Sequence, residues 1–123
     1  MPFKGYNIMV RENVKRGDLF LIHLEGQGSE QKGLRPVVVV QNDIGNKFSP
    51  TTVVVPITSQ SKKNIPTHVE LSSNDGVQRP STVLCEQPFV VDKSRLMKKL
   101  GELQNSKIED INKKIMFNLG IGE

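Results

Sequence analysis

Apolar residues in this chain fall in short dense runs separated by turn residues, and only one stretch carries a helical period. The turn signal Arg16-Gly17-Asp18 leads into a first predicted strand, Leu19 to Leu24. Glu25 to Leu34, holding Gly26, Gly28 and Gly33, reads as a flexible loop. Pro36 has no N–H to give a ladder, so it marks the start of a second strand, Val37 to Gln41, and leaves Arg35 at its mouth. Asn42-Asp43-Ile44-Gly45-Asn46 is turn chemistry, Ser49-Pro50 resets the chain, and Thr51 to Ile57 is another β-branched run. Unbroken valines in both runs predict strands covered on both faces. Ile65 to Leu71 alternates, Ser72 to Pro80 is a polar loop around Asn74-Asp75-Gly76, and Thr82 to Glu86 is a further strand. One helix is expected near the C-terminus. Ser106 and Glu109 have capping-box spacing, Ile108, Ile111, Ile115 and Leu119 share a face, and Gly120 supplies the stop. An apolar stripe at this spacing is the signature of a helix docked on a core. Five or more short strands with tight turns predict a small, largely antiparallel barrel.

Composition narrows this picture. A chain of 123 residues fits one domain with a single core. Aromatics are 5% of the residues and Trp is absent, so the core is aliphatic. There are no internal repeats and no stretch resembling an interdomain linker. Lys and Arg number 17 against 13 Asp and Glu, a formal net charge of +4, which suits a polyanionic partner but equally suits plain solubility. The single Cys85 lies in the apolar run Val83-Leu84-Cys85 and reads as a small buried hydrophobe in a reducing compartment. No apolar stretch approaches the ~20 residues that span a bilayer, and Met1 to Glu12 lacks the apolar centre of a secretory signal, so a cytoplasmic protein is expected.

The chemistry is found by exclusion first. No zinc-type His and Cys spacing occurs, the first-loop glycines do not form a phosphate-binding P-loop, and no serine has a nucleophile-elbow context. Neither a metal nor a cofactor is expected. What remains is an arginine opening one apolar strand and a threonine closing the next, so that Arg35 and Thr58 could meet at one end of a sheet. Guanidinium grips two oxygens of a phosphate and a hydroxyl donates to a third. If the phosphate belongs to RNA, its neighbouring 2′-OH is a built-in nucleophile that needs only alignment and charge stabilisation. By itself the pair is weak evidence, and an arginine in a surface salt bridge at a strand edge is the commoner arrangement.

The ordered motifs settle the direction of the reading. Val14-Lys15-Arg16-Gly17-Asp18, Gly28-Ser29-Glu30-Gln31-Lys32-Gly33-Leu34-Arg35-Pro36, Gln41-Asn42-Asp43, Pro56-Ile57-Thr58-Ser59-Gln60, Pro66-Thr67-His68-Val69-Glu70 and Glu86-Gln87 closely resemble the MazF/PemK toxins, endoribonucleases of type II toxin–antitoxin modules. The resemblance runs from about Val14 to Leu119 and is carried by the ordered set rather than by any one motif. It implies a mainly β fold with α, an SH3-like small barrel of the CcdB/Kid/MazF type with a C-terminal helix packed on it. It implies one toxin domain over residues 1–123, in which 1–13 precede the usual start. It further implies a homodimer that cleaves single-stranded RNA at short specific sequences without metal and is silenced by a MazE-type antitoxin. Carried over residue by residue, the family's catalytic pair falls on Arg35 and Thr58.

Around that pair, Glu30 is the candidate acid or base, because a guanidinium holds its proton too tightly to serve as a proton acceptor. Ser29, Gln31 and Ser59 would line the RNA cleft. Gln41, Asn42 and Gln87 are candidate base readers, since amides pair with the edges of unstacked bases. Phe48 could stack on a base, although packing is the commoner role of a Phe in a β domain. Lys47, Lys62 and Lys63 would attract the backbone, a role that solubility explains as well. His23 and His68 lie within apparent strands and read as structural or surface residues. Two other function classes share the barrel: a CcdB-like gyrase poison, and a non-catalytic SH3-like RNA-binding module. The Arg35 and Thr58 pair argues against both.

Overall fold

The computed structural model describes residues 13–59 and 64–122. Among them, seven strands form a curled antiparallel sheet: β1 (Asp18–Glu25), β2 (Lys32–Val39), β3 (Thr51–Thr58), β4 (His68–Leu71), β5 (Ser81–Leu84), β6 (Phe89–Asp92) and β7 (Lys98–Glu102). Helix α1 (Asp43–Phe48) joins β2 to β3, and α2 (Asn105–Leu119) closes the chain. The sheet order is β4-β5-β3-β2-β1-β7, with β6 also paired to β3. The architecture is a half-barrel with a C-terminal helix, as the sequence predicts.

Strand β3 is where the sheet curls. One edge pairs with β2, from Val37↔Pro56 to Val39↔Val54. Its other edge is shared: Thr51 to Val54 pair with β6, while Ile57 and Thr58 pair with β5. A strand that changes partners midway turns the sheet onto itself. The valine runs meet this geometry because both faces are covered. Val38, Val55, Ile57, Val83 and Leu19 point into a core beneath α2, which contributes Ile111. Val37, Val39, Val54, Phe20 and Ile22 point the other way, with Val91 and Leu96 closing that second core. Period-two alternation is present, but both phases are apolar.

Several expectations change. The second strand begins at Lys32, so Arg35 lies inside it opposite Ile22 rather than at its mouth. Pro36 is tolerated because it pairs with β1 just before the β2–β3 ladder begins at Val37. The segment expected as a turn at Asn42 to Asn46 is the start of α1: Asn42 accepts from the Gly45 N–H at 2.9 Å as its N-cap. Helix α2 begins at Asn105 with no side-chain cap, so Ser106 is helical, and the capping box stands instead at Ser72 and Asp75. Gly120 does end α2 in the left-handed conformation. The helix stripe is also shorter than its period implies, because Leu119 is 57% exposed. Strands β6 and β7, and the shortening of the Ile65 to Leu71 strand to His68–Leu71, were not evident from the pattern.

Asn46 locks α1 to the sheet. It is buried, accepts from the Thr52 hydroxyl at 2.7 Å and the Gln41 amide at 3.0 Å, and donates to the Gln41 carbonyl at 2.9 Å. Removing it strands buried donors and acceptors, each worth roughly 1–3 kcal/mol. Asn46→Ala is therefore expected to lower unfolding stability by about 2–4 kcal/mol, read as a fall in the urea midpoint at unchanged slope.

Candidate active site and groove

Cross-strand register assembles a transverse row on the face opposite α2. Ile22 pairs with Arg35, Thr58 pairs with Thr82, and Thr82 pairs with Glu70. The last β2–β3 pair is Val37↔Pro56; the same register continued by two residues sets Arg35 opposite Thr58. Residues two apart along a strand share a face, so the arginine and threonine that the sequence places on two separate strands lie on one face, past the end of the β2–β3 ladder. Arg35 Nε donates to the Lys32 carbonyl at 3.0 Å, which fixes the stem of the fork. Its terminal nitrogens have no protein partner among the described residues. Thr58 is 1% exposed, so its hydroxyl is reached only when the packing over it opens.

Beside the row lies a groove of about 810 Å³. Leu24 and Pro56, two residues from Ile22 and Thr58 along their strands, flank the row on its own face. The rest of the wall includes His23, Glu25, Glu30, Gln31, Glu86, Gln87 and Arg95. Neither Arg35 nor Thr58 lines it. The first loop is built to reach this wall: Gly28 and Gly33 have φ of 59° and 90°, which side chains rarely adopt. At Gly26 a Cβ would sit 2.3 Å from the Gln31 carbonyl oxygen. Glu30 caps its own loop by accepting from the Gln27 N–H at 2.8 Å. Ser29 is exposed, and its carbonyl accepts from the Gln87 amide at 3.4 Å. The loop and the segment after β5 thus meet across the groove.

The other candidate RNA contacts are elsewhere. The Gln41 amide is committed to Asn46 and, at 3.1 Å, to the Thr51 carbonyl, while Asn42 caps α1. Phe48 is 76% exposed at the end of α1, with Lys47 Nζ 5.4 Å from its ring centre. These three lie at the far end of β2 from the row; six residues from Arg35 to Gln41 span about 20 Å of extended chain. Ser59 is exposed beside Thr58. Gln60, Lys62 and Lys63 lie outside the described residues, as does most of the 1–13 segment.

Sequence reasoning assigned no role to Glu86, Thr67 or Arg95. Glu86 accepts from the Thr67 hydroxyl at 3.0 Å, its Oε2 lies 3.4 Å from His68 Nε2, and Arg95 donates to the His23 carbonyl at 2.9 Å. The signals available were the motifs Pro66 to Glu70 and Glu86-Gln87, which carried the resemblance without their residues being given chemistry. Cys85 adjoins this cluster but is inert: burial pushes its thiol up to about 12, with the neighbouring Glu86 charge adding to the effect. Among the described residues no group of three or more His, Cys, Asp or Glu is arranged to hold a metal ion.

A family model described as "PemK-like, MazF-like toxin of type II toxin-antitoxin system" matches residues 15–119. The Endoribonuclease MazF of Staphylococcus saprophyticus is 46% identical over 111 residues, covering 88% of this chain and 92% of that protein. Among solved structures, MazF from Deinococcus radiodurans is 27% identical with a TM-score of 0.76, over 88% of this chain and 97% of that one. A mycobacterial endoribonuclease in complex with its cognate antitoxin superposes with a TM-score of 0.75 at 24% identity, over 89% and 98% of the two chains, a likeness of fold.

The inertness of Cys85 is directly measurable. In the native protein at pH 8 iodoacetamide should leave it unmodified, and in denaturant the same reagent should label it completely. Because the thiol's pKa is raised in the fold from 9.0 to about 12, the unfolded state alone ionises first as pH climbs, so stability from this group falls above about pH 9.

Proposed function

The chain belongs to the PemK-like, MazF-like toxins of type II toxin–antitoxin systems, and from that premise we propose that this endoribonuclease cuts single-stranded RNA, mRNA included, by attack of the RNA's own 2′-OH. What supports the reading is the β2–β3 register, which brings Arg35 and Thr58 to one end of the face on which Leu24 and Pro56 line the groove. The 2′-oxygen forms a bond to phosphorus as the bond to the 5′-oxygen breaks. The products are a 2′,3′-cyclic phosphate, or the 3′-phosphate after its hydrolysis, and a 5′-OH. Arg35 supplies the fixed charge that stabilises the phosphorane, its terminal N–H groups forking onto the nonbridging oxygens. Thr58 donates its hydroxyl to the same phosphate once the strand ends open. Glu30 takes the 2′-OH proton and returns it to the departing 5′-oxygen: one carboxylate oxygen is held by its own loop, and the other has no protein partner among the described residues. Ser29, Gln31, Ser59 and Gln87 contact the RNA around the groove. Gln41 and Asn42 serve the fold through α1, and Phe48 lies beyond a short substrate's reach. The reaction needs no metal, since every charge it develops has a protein group to meet it.

The mechanism makes three linked demands on purified protein. EDTA should leave cleavage unchanged. A substrate with deoxyribose only at the nucleotide 5′ of the cut should bind and resist cleavage. Arg35→Ala should fold and lose ~10²–10³-fold or more in rate, Thr58→Ala less, and Arg35→Lys should stay badly impaired because an ammonium keeps charge without the fork. Cleavage and growth arrest by a folded Arg35→Ala protein would return the gyrase-poison or binding-module reading to the front.

We also propose a homodimer acting in the cytoplasm and silenced by a MazE-type antitoxin. Support for an apolar contact comes from Met116, Phe117, Leu119 and Ile121, exposed together at the end of α2. Support for the antitoxin comes from the solved endoribonuclease held by its cognate antitoxin. An acidic, partly disordered antitoxin tail should compete with RNA and bind less tightly as salt rises. Undiminished binding of both at once, in a fluorescence competition assay, would rule out direct occlusion.

A further inference from the structure

Glu86 is held differently from the other carboxylates of the groove. Thr67 fixes Oε1 at 3.0 Å and His68 approaches Oε2 at 3.4 Å, so both oxygens are tied to strand β4 or the residue before it. The His68 side chain is only 4% exposed, and its Nδ1 is buried with no hydrogen-bond partner. A proton on Nδ1 would be a buried donor with nothing to receive it, so the geometry assigns the tautomer with hydrogen on Nε2, the nitrogen that faces Glu86 Oε2. Oε1 then accepts one protein hydrogen bond, Oε2 has the His68 contact, and each keeps a lone pair for a ligand. The Glu86 side chain is 26% exposed and lines the groove.

The groove's charge says what that ligand is. Glu25, Glu30 and Glu86 stand there against the single guanidinium of Arg95, which is itself engaged with the His23 carbonyl. A phosphate is repelled by such a wall. A base edge bearing N–H donors is attracted to it, and a carboxylate accepts from amino groups such as N4 of cytosine. We propose that Glu86 reads the exocyclic amino group of one RNA base, and that His68 is a positioning residue that, with Thr67, holds the carboxylate for that purpose. The inference rests on the RNA-cleaving reading above. Uracil, with carbonyls on both sides of its one ring N–H, is the base this carboxylate disfavours.

The test is digestion of a random RNA pool by the full-length protein, with sequencing of the cut ends and a thermal melt of every variant. Wild type should show one position at which amino-bearing bases outnumber uracil by about tenfold or more. His68→Leu, which keeps the buried volume but not the donor, should flatten the preference at that position, as should Glu86→Gln. His68→Gln should restore it, because its amide can donate to Oε2 and nothing is lost at the unpartnered Nδ1. Should His68→Leu fail to fold, Glu86→Gln and Thr67→Val decide the matter. Wild-type cutting with the same base profile in folded His68→Leu and Glu86→Gln overturns this inference alone. Absence of cutting by wild type overturns the ribonuclease reading and this inference with it.

Discussion

The divided edge of β3 is the constraint on which the rest of the molecule depends. Residues Thr51 to Val54 bond to β6 and Ile57 to Thr58 bond to β5, while the opposite edge stays with β2. This strand therefore belongs to both walls of the half-barrel and must be apolar on both faces, which is why Val54, Val55 and Ile57 are all fully buried. The point where β3 has left β6 for β5 is also where β2 has parted from it, just past Val37↔Pro56. Arg35 and Thr58 lie just past that point, on one face of the sheet. A site built at a splitting sheet has rigid strands on three sides, and its side chains are fixed by register rather than by loop conformation.

That origin explains what the sequence made legible. Valine runs, Pro36 and Gly120 are local signals, and the elements they mark stand close to where they were expected. That Arg35 and Thr58 fall on one face is a register property, and no single-strand pattern encodes register; the strand pattern offered only that they could meet at one end of a sheet. Helix α1 was hidden because Asn42, Asp43, Gly45 and Asn46 are turn formers, and what overrides them is tertiary: Asn46 inserts into the sheet and bonds Thr52 and Gln41. The misplaced capping box at Ser106 has the converse cause. Its spacing is right, but α2 begins two residues earlier, at Asn105 with Gln104 as N-cap, where Ile108 and Ile111 dock on the core. The cluster around Glu86 was illegible because Thr67 and His68 are nineteen and eighteen residues away and meet it only across the β4–β5 pair.

Charge distribution separates two tasks that net charge merges. An overall balance of +4 draws a polyanion toward the protein, yet the groove is lined by three carboxylates against Arg95. Long-range attraction and local repulsion are compatible when backbone and bases occupy different places. The phosphate is then held where the free nitrogens of Arg35 present donors, and the bases turn into the acidic groove, where a carboxylate faces amino groups without phosphate beside it. A uniformly basic cleft binds every sequence alike, because phosphates carry no sequence information. An acidic wall next to one arginine gives up some affinity and gains discrimination.

Within that wall the two best-placed carboxylates differ in freedom. Glu86 is restrained at both oxygens by side chains anchored to the sheet, whereas Glu30 is restrained at one oxygen by the backbone of its own exposed loop. Reading a base requires an acceptor whose position does not adjust to the wrong partner, since a carboxylate that swings to meet any donor discriminates little. Accepting a proton from a 2′-OH requires approach and withdrawal, which a loop closed by Gly28 and Gly33 permits. The same functional group is thus suited to selection at one side of the groove and to proton transfer at the other, and the difference between them lies in what holds each side chain.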